Sequence, residues 1–282
     1  MTTTGTRDAG GTLRHDLRGA RVVWQREILL FYQNRIRVIA AIAQPVLFLF
    51  VLGTGLSPVV GDEGGSFDFR LFLFPGALAM TVMFPAVVSG VSVAYDREFG
   101  FLREMLVAPV RRFALVLGKC LGGATVATGQ GAIMLVLGAV IGIPYSFGLL
   151  VVLVLEVAVT AFALAAFGML IASRMRSMDS FQGVLQLLLT PILFLSGAFF
   201  PLSGLPEWLA LLTKLNPLSY AVDAMRRAVF SVVTIPASLE TRLSPGITWN
   251  GWPLPDALEI GIVLALGAAL FGLAVVAFSR PD

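Results

Sequence analysis

The sequence predicts an all-α polytopic membrane protein with six transmembrane helices. An N-terminal amphipathic interfacial helix precedes them, a second surface helix lies between spans two and three, and a re-entrant outer segment lies between spans five and six. Three observations carry this. Hydrophobic residues fill 57% of the 282 positions and charged residues only 13%, well below the quarter or so charged that soluble domains carry. Six apolar stretches each approach the roughly 20 residues needed to cross the hydrocarbon core. Fifteen of the twenty Lys and Arg residues fall on one side of that arrangement.

Residues 1–13 read as a disordered cytosolic tail. Over residues 14–35 the apolar positions Leu17, Ala20, Trp24, Ile28 and Phe31 recur every three or four residues, while Arg14, Arg18, Arg21 and Gln25 hold the other face. Such a helix lies flat in the headgroup region, where each Arg near an anionic leaflet contributes about 1 kcal/mol and Trp24 fits the interface. The apolar run that follows is too long for a signal-peptide core, so it stays as an anchor.

The spans are expected at residues 36–56, 71–94, 114–143, 147–172, 181–202 and 257–278 of the transmembrane domain, which occupies residues 36–282. Both termini are then cytosolic by the positive-inside rule, in the plasma (inner) membrane. Pro75, Pro85 and Pro191 predict kinks in spans two and five. Gly118 with Gly122, and Gly138 with Gly142, form two small-residue pairs on span three, read as packing within one subunit before a subunit interface. Glu156 is the carboxylate well inside a span, and charging it there costs a few kcal/mol. It is either a structural hydrogen-bonding group or part of a substrate or proton path. Glu259, near a span end, is expected to reach the surface.

Residues 95–119 are unlike an ordinary link. They carry Arg97, Arg103, Arg111, Arg112 and Lys119, with Leu102, Met105 and Leu106 at helical spacing, Gly100 ahead and Pro109 behind. That is a short amphipathic helix across the membrane surface, suited to a cytosolic partner. From the residues alone, an interfacial loop held by basic side chains fits equally well.

Beyond span five, residues 203–256 form the outer segment. Pro206, Trp208, Leu209, Leu211, Leu212 and Leu215 make an apolar turn or two ending at Asn216 and Pro217, and a second patch runs from Leu218 through Tyr220 to Phe230. Pieces this short cannot cross a bilayer, so they dip in and return or lie at the outer interface. Residues 234–250 read as an exposed loop.

Several chemistries lack their residues. Cys120 and His15 are the single cysteine and histidine, which leaves no intramolecular disulfide and no metal site. Gly118 and Lys119 are followed by Cys120 where a phosphate-binding loop needs Ser or Thr, and Phe113 stands at its leading Gly position. The chain therefore reads as no enzyme and binds no cofactor of its own. Its net charge of +3 follows membrane sidedness and implies no nucleic-acid partner.

One family combines these features. Glu98, Phe99 and Gly100 through Leu106, Pro109 and Arg111 after span two, with Pro201 and Leu202 through Pro206, Trp208, Leu209, Asn216, Pro217, Leu218 and Tyr220 after span five, resemble the type-2 ABC transporter permeases. The likeness is to the branch of daunorubicin-type and nodulation exporters and covers about residues 14–280. It implies the permease subunit of an ATP-driven exporter of an amphipathic drug, lipid or glycoconjugate. Two permease copies, a homodimer or a heterodimer, would work with two cytosolic ABC ATPase subunits that hold ATP and Mg, in contact with membrane lipid. Residues 14–35 would be the elbow helix, 97–112 would contain the coupling helix, and 203–230 the outer hairpin. Coupling would rest on Glu98, Arg103 and Glu104, with Gly100, Leu102, Leu106, Pro109 and Arg111 shaping the segment. The residues alone leave two other readings, an ion-coupled secondary transporter using Glu156 and a non-transporting membrane scaffold.

Overall fold

The computed structural model describes residues 9–33, 35–61, 68–98, 111–175, 177–233, 235, 242–244, 246–249 and 252–279. Among them, six helices are long and apolar enough to cross a membrane: Val38–Ser57, Phe69–Asp96, Arg112–Gly138, Phe147–Ala172, Met178–Leu195 and Asp256–Phe278. The chain runs as α1 (Ala9–Gln33), α2 (Arg35–Gly61), α3 (Phe69–Val88), α4 (Val91–Glu98), α5 (Arg112–Gly138), α6 (Phe147–Ala172) and α7 (Met178–Leu195). Then come α8 (Glu207–Leu215), α9 (Pro217–Phe230), a two-residue hairpin of β1 (Thr248–Trp249) and β2 (Trp252–Pro253), and α10 (Asp256–Ser279).

Span two is the centre of the bundle. Every residue of α3 from Phe72 to Met83 is buried, because α2, α5, α6 and α9 all pack against it. Asp68 caps its start by accepting from Arg70 N at 3.0 Å and pairs with the Arg70 side chain. Burial works against the Asp68 carboxylate, but the hydrogen bonds and charge of Arg70 outweigh it and hold its pKa below the ordinary value. The helix tolerates Pro75 and Pro85 and then breaks at Ser89 and Gly90.

That break sits against span four. A Cβ on Gly168 would stand 2.2 Å from the Val87 carbonyl oxygen, and one on Gly90 would stand 2.6 Å from the Gly168 oxygen, so the two backbones touch. Replacing Gly168 by Val must force α6 away from α3, at about 1–3 kcal/mol for overpacking. Thermal unfolding in detergent should show the loss, and an unchanged midpoint would mean that the crossing is loose.

Two spans end earlier than the sequence predicts. Span three stops at Gly138, not near residue 143, because the chain turns through Gly142 at φ 87°. Gly142 is therefore not one half of a helical small-residue pair. Span five starts at Met178, where the Ser177 hydroxyl accepts from Ser180 N, and ends at Leu195 ahead of Gly197, which takes φ 74°.

The described parts of residues 203–256 pack on the bundle. Asn216 separates α8 from α9: its Oδ1 accepts from Leu218 N at 3.1 Å and its Nδ2 donates to the Ile192 carbonyl at 2.7 Å. The α9 helix is buried along most of its length against α10, α3 and α6. Leu243, Ile247 and Leu254 join the hydrophobic core, so described parts of the connection before span six fold over the bundle instead of extending into solvent. Thr248 pairs with Pro253 and Trp249 with Trp252 across the small hairpin.

Candidate functional site

The α1 helix lies along α5, and small residues let it do so. A Cβ on Gly118 would meet the Ala20 oxygen at 2.6 Å and one on Gly122 would meet Glu27 Cβ at 2.6 Å. This pair thus serves packing within the subunit, as expected. Ala20 and Val23 are buried in the contact, and Trp24 Nε1 donates to Thr125 Oγ1 at 3.0 Å. Ile28 and Phe31 are half-buried, while Leu17, expected on the apolar face, is 56% exposed.

This crossing encloses a charged cluster that sequence reasoning missed. Lys119 was counted with the surface charges, yet it is 2% exposed. Its Nζ donates to Asp96 Oδ2 at 2.7 Å and to Ser92 Oγ at 2.9 Å, and it pairs by charge with Glu27 Oε1 at 3.5 Å without a hydrogen bond. Arg26 Nη2 approaches Asp96 Oδ1 at 3.6 Å. One ammonium therefore joins α1, α4 and α5. Beside it opens a cavity of about 360 Å³ between α1, the α3–α4 junction and α5.

Both described ends of the connection between spans two and three are anchored at this end of the bundle. Glu98 Oε2 accepts from Met178 N at 2.9 Å, at the start of span five. Asp16 on α1 accepts from Arg111 N at 3.2 Å and pairs with Arg111 Nε at 3.3 Å. Gly100, Leu102, Arg103, Glu104, Leu106 and Pro109 lie outside the described residues.

At the far end, Pro206 precedes α8 and Trp208 is 65% exposed, while Pro201 is half-buried. Pro217 occupies the first turn of α9. The Tyr220 hydroxyl donates to the Lys214 carbonyl at 2.7 Å and accepts from Trp249 Nε1 at 3.2 Å. Burial pushes the Tyr220 phenol up, only partly offset by the Trp249 hydrogen bond, so it stays a neutral donor.

A second ionic cluster ties α9 to span six. Arg227 Nη2 lies 2.5 Å from Glu259 Oε2 and 3.4 Å from Asp223 Oδ2, and its Nη1 lies 2.8 Å from both Asp256 Oδ1 and the Leu254 carbonyl. Glu259 is fully buried, which corrects the expectation that it reaches the surface: the guanidinium comes to it. Arg226 is buried as well, donating to the Gly197 carbonyl with its guanidinium 4.2 Å from the Phe72 ring centre. Glu156 is 3% exposed and its Oε2 has no hydrogen-bond partner. Three other carboxylates are buried, Asp96 and Glu259 near span ends and Asp223 on α9.

A family profile described as ABC-2 type transporter matches residues 18–230. The chain is 33% identical over 207 residues to Nodulation protein J of Rhizobium leguminosarum bv. trifolii, covering 72% of this chain and 78% of that one. It is 32% identical over 191 residues to the probable multidrug ABC transporter permease YbhR of Escherichia coli strain K12, covering 66% of this chain and 49% of that one. It is also 27% identical over 208 residues to the putative transport permease ycf38 of Cyanophora paradoxa, covering 73% and 72%.

Proposed function

This chain belongs to the ABC-2 type transporter family, and from that premise we propose that it is the membrane permease of an ATP-driven exporter that moves an amphipathic cargo out of the cytoplasm or inner leaflet. Two copies would pair, and each would dock a cytosolic ABC ATPase carrying ATP and Mg. The apolar faces of α2 and α7, with Ile39, Leu47, Val51 and Leu187 outward, suit lipid or a neighbouring copy alike. Cargo of the drug, lipid or glycoconjugate type is in keeping with relatives named for nodulation and multidrug transport.

The observation that carries this reading is the anchoring of the surface segment. Residues 97–112 are the coupling helix region, and a push on them is delivered through Glu98 to the start of span five and through Arg111 to α1. In this reading α1 is the elbow helix on the inner leaflet, both termini are cytosolic in the inner membrane, and α8 with α9 forms the re-entrant outer hairpin. ATP binding closes the ATPase pair, the coupling helices move, and spans two and five open the path outward beneath that hairpin. Arg103 and Glu104 contact the ATPase, while Leu102, Leu106 and Pro109 set the shape of the segment.

Co-purification from the native membrane tests this directly: an ATPase subunit near one per permease is expected. Glu104→Lys should leave membrane insertion intact and lower both ATPase recovery and transport about tenfold, the cost of one reversed charge contact at an interface. Full transport by that variant sinks the lever assignment. An ion-coupled mechanism through Glu156, whose buried Oε2 lacks a partner, predicts the opposite pattern: flux that survives ATP depletion and disappears in Glu156→Gln.

A further inference from the structure

The cavity between α1, the α3–α4 junction and α5 is polar at one end and apolar along its wall. Arg26, Glu27, Ser92 and Asp96 line the polar end, and Leu30, Val88 and Val126 line the remainder. Charges at the polar end balance, with Arg26 and Lys119 facing Glu27 and Asp96. Two of these groups have unused capacity. Glu27 Oε1 is buried with no hydrogen bond, and its side chain is 10% exposed. Arg26 Nη2 is 3.6 Å from Asp96 Oδ1, beyond hydrogen-bonding distance, and its side chain is 43% exposed.

Glu27, an acceptor residue, and Arg26, a set of donors, therefore both line one cavity whose own charge is neutral. A headgroup with net charge would leave that charge uncompensated in a partly dry site. A headgroup that brings both a donor and an acceptor, with no net charge, satisfies Glu27 and Arg26 together. The wall from Pro85 to Asp96 spans at most about 16 Å at the helical repeat, less for the break at Ser89 and Gly90, against about 15 Å for half the hydrocarbon core. That length suits the chain of one leaflet's amphiphile.

We propose that this cavity binds an amphiphile from the adjoining leaflet whose headgroup is neutral overall and carries both a hydrogen-bond donor and an acceptor. A zwitterionic phosphoethanolamine and a sugar hydroxyl share this chemistry. The cavity's role as the loading point for cargo rests on the exporter reading above, whereas its occupancy does not.

The test uses the full chain in phosphatidylglycerol nanodiscs, without ATPase or nucleotide. Trace phosphatidylethanolamine, phosphatidylglycerol or alkyl glucoside, each with a diazirine in the alkyl chain, is photolysed and the adducts are mapped by mass spectrometry. Labelling around Leu30, Val88 and Val126 by phosphatidylethanolamine or the glucoside should exceed that by phosphatidylglycerol about tenfold, as one charge-assisted hydrogen bond provides. Whichever of the two labels more strongly identifies the headgroup source. Arg26→Gln should remove the headgroup preference and Val126→Phe should block the labelling, while Arg14→Gln changes neither. Equal labelling by all three probes, or a preference that survives both Arg26→Gln and Val126→Phe, overturns the proposal. Such a failure leaves ATPase co-purification untouched, and loss of co-purification leaves the labelling untouched.

Discussion

Lys119→Met is expected to destabilise the fold by about 3–5 kcal/mol, the cost of removing one partner from a buried ion pair. The reason is what remains. Asp96 is 1% exposed and Glu27 is 10% exposed by side chain, and each would keep its charge with no ammonium beside it. Arg26 cannot take over, because its guanidinium already stands off Asp96 at 3.6 Å on the cavity side. The loss should release α1 from α5, since Lys119 reaches Glu27 across that contact. Thermal unfolding in detergent measures the effect, and proteolysis near Gln25 reports the release. Combining Lys119→Met with Asp96→Leu and Glu27→Gln removes the stranded charges and should recover most of the stability. A single variant as stable as the parent would show that water reaches the cluster freely.

Most of the architecture was legible because membranes impose a simple rule. Backbone polar groups must be satisfied inside each span, so length and hydropathy alone placed six helices, and four of the six run close to the residues expected. The pair of short helices α8 and α9 was readable for a local reason: Asn216 and Pro217 stop one and start the next. Where local signals were ambiguous, the boundaries moved. Apolar residues continue past Gly138 and past Leu195, and only the positive φ of Gly142 and Gly197 ends those helices.

The ionic clusters were not legible, and the cause is sequence distance. Lys119 meets Asp96 from 23 residues away and Glu27 from 92. Nothing in a hydropathy profile marks such a charge as paired; beside Arg111 and Arg112 it reads as one more surface cation. Arg226 and Arg227 fall within the apolar patch from Leu218 to Phe230, where the sequence carries no sign of their partners. One visible clue existed for α9. Its apolar residues Leu218, Ala221, Val222, Met225 and Val229 recur at helical spacing, which places Arg226 beside Met225 and within reach of the buried face.

Arg227→Met is expected to cost a similar 3–5 kcal/mol, because it strands Glu259 and Asp223. Glu259 is fully buried and Asp223 is 5% exposed by side chain. Asp223 retains one further partner, the Ile247 amide at 3.1 Å, so Glu259 bears most of the penalty. Arg227→Lys should restore only part of the loss: a single ammonium cannot reproduce the planar fork that reaches Glu259 through Nη2 while holding Asp256 and the Leu254 carbonyl through Nη1. The double variant Arg227→Met with Glu259→Met replaces the desolvated pair by apolar side chains of similar length and should fold nearly as well as the parent. That variant separates two roles. If stability and transport both return, the bridge is a structural brace between α9 and span six. If stability returns and transport does not, the bridge belongs to the movement of the outer segment during the cycle, because α9 packs on spans two, four and six at once and Arg227 is the ionic link that holds it to the last of them. A parental unfolding midpoint for Arg227→Met alone would refute both assignments.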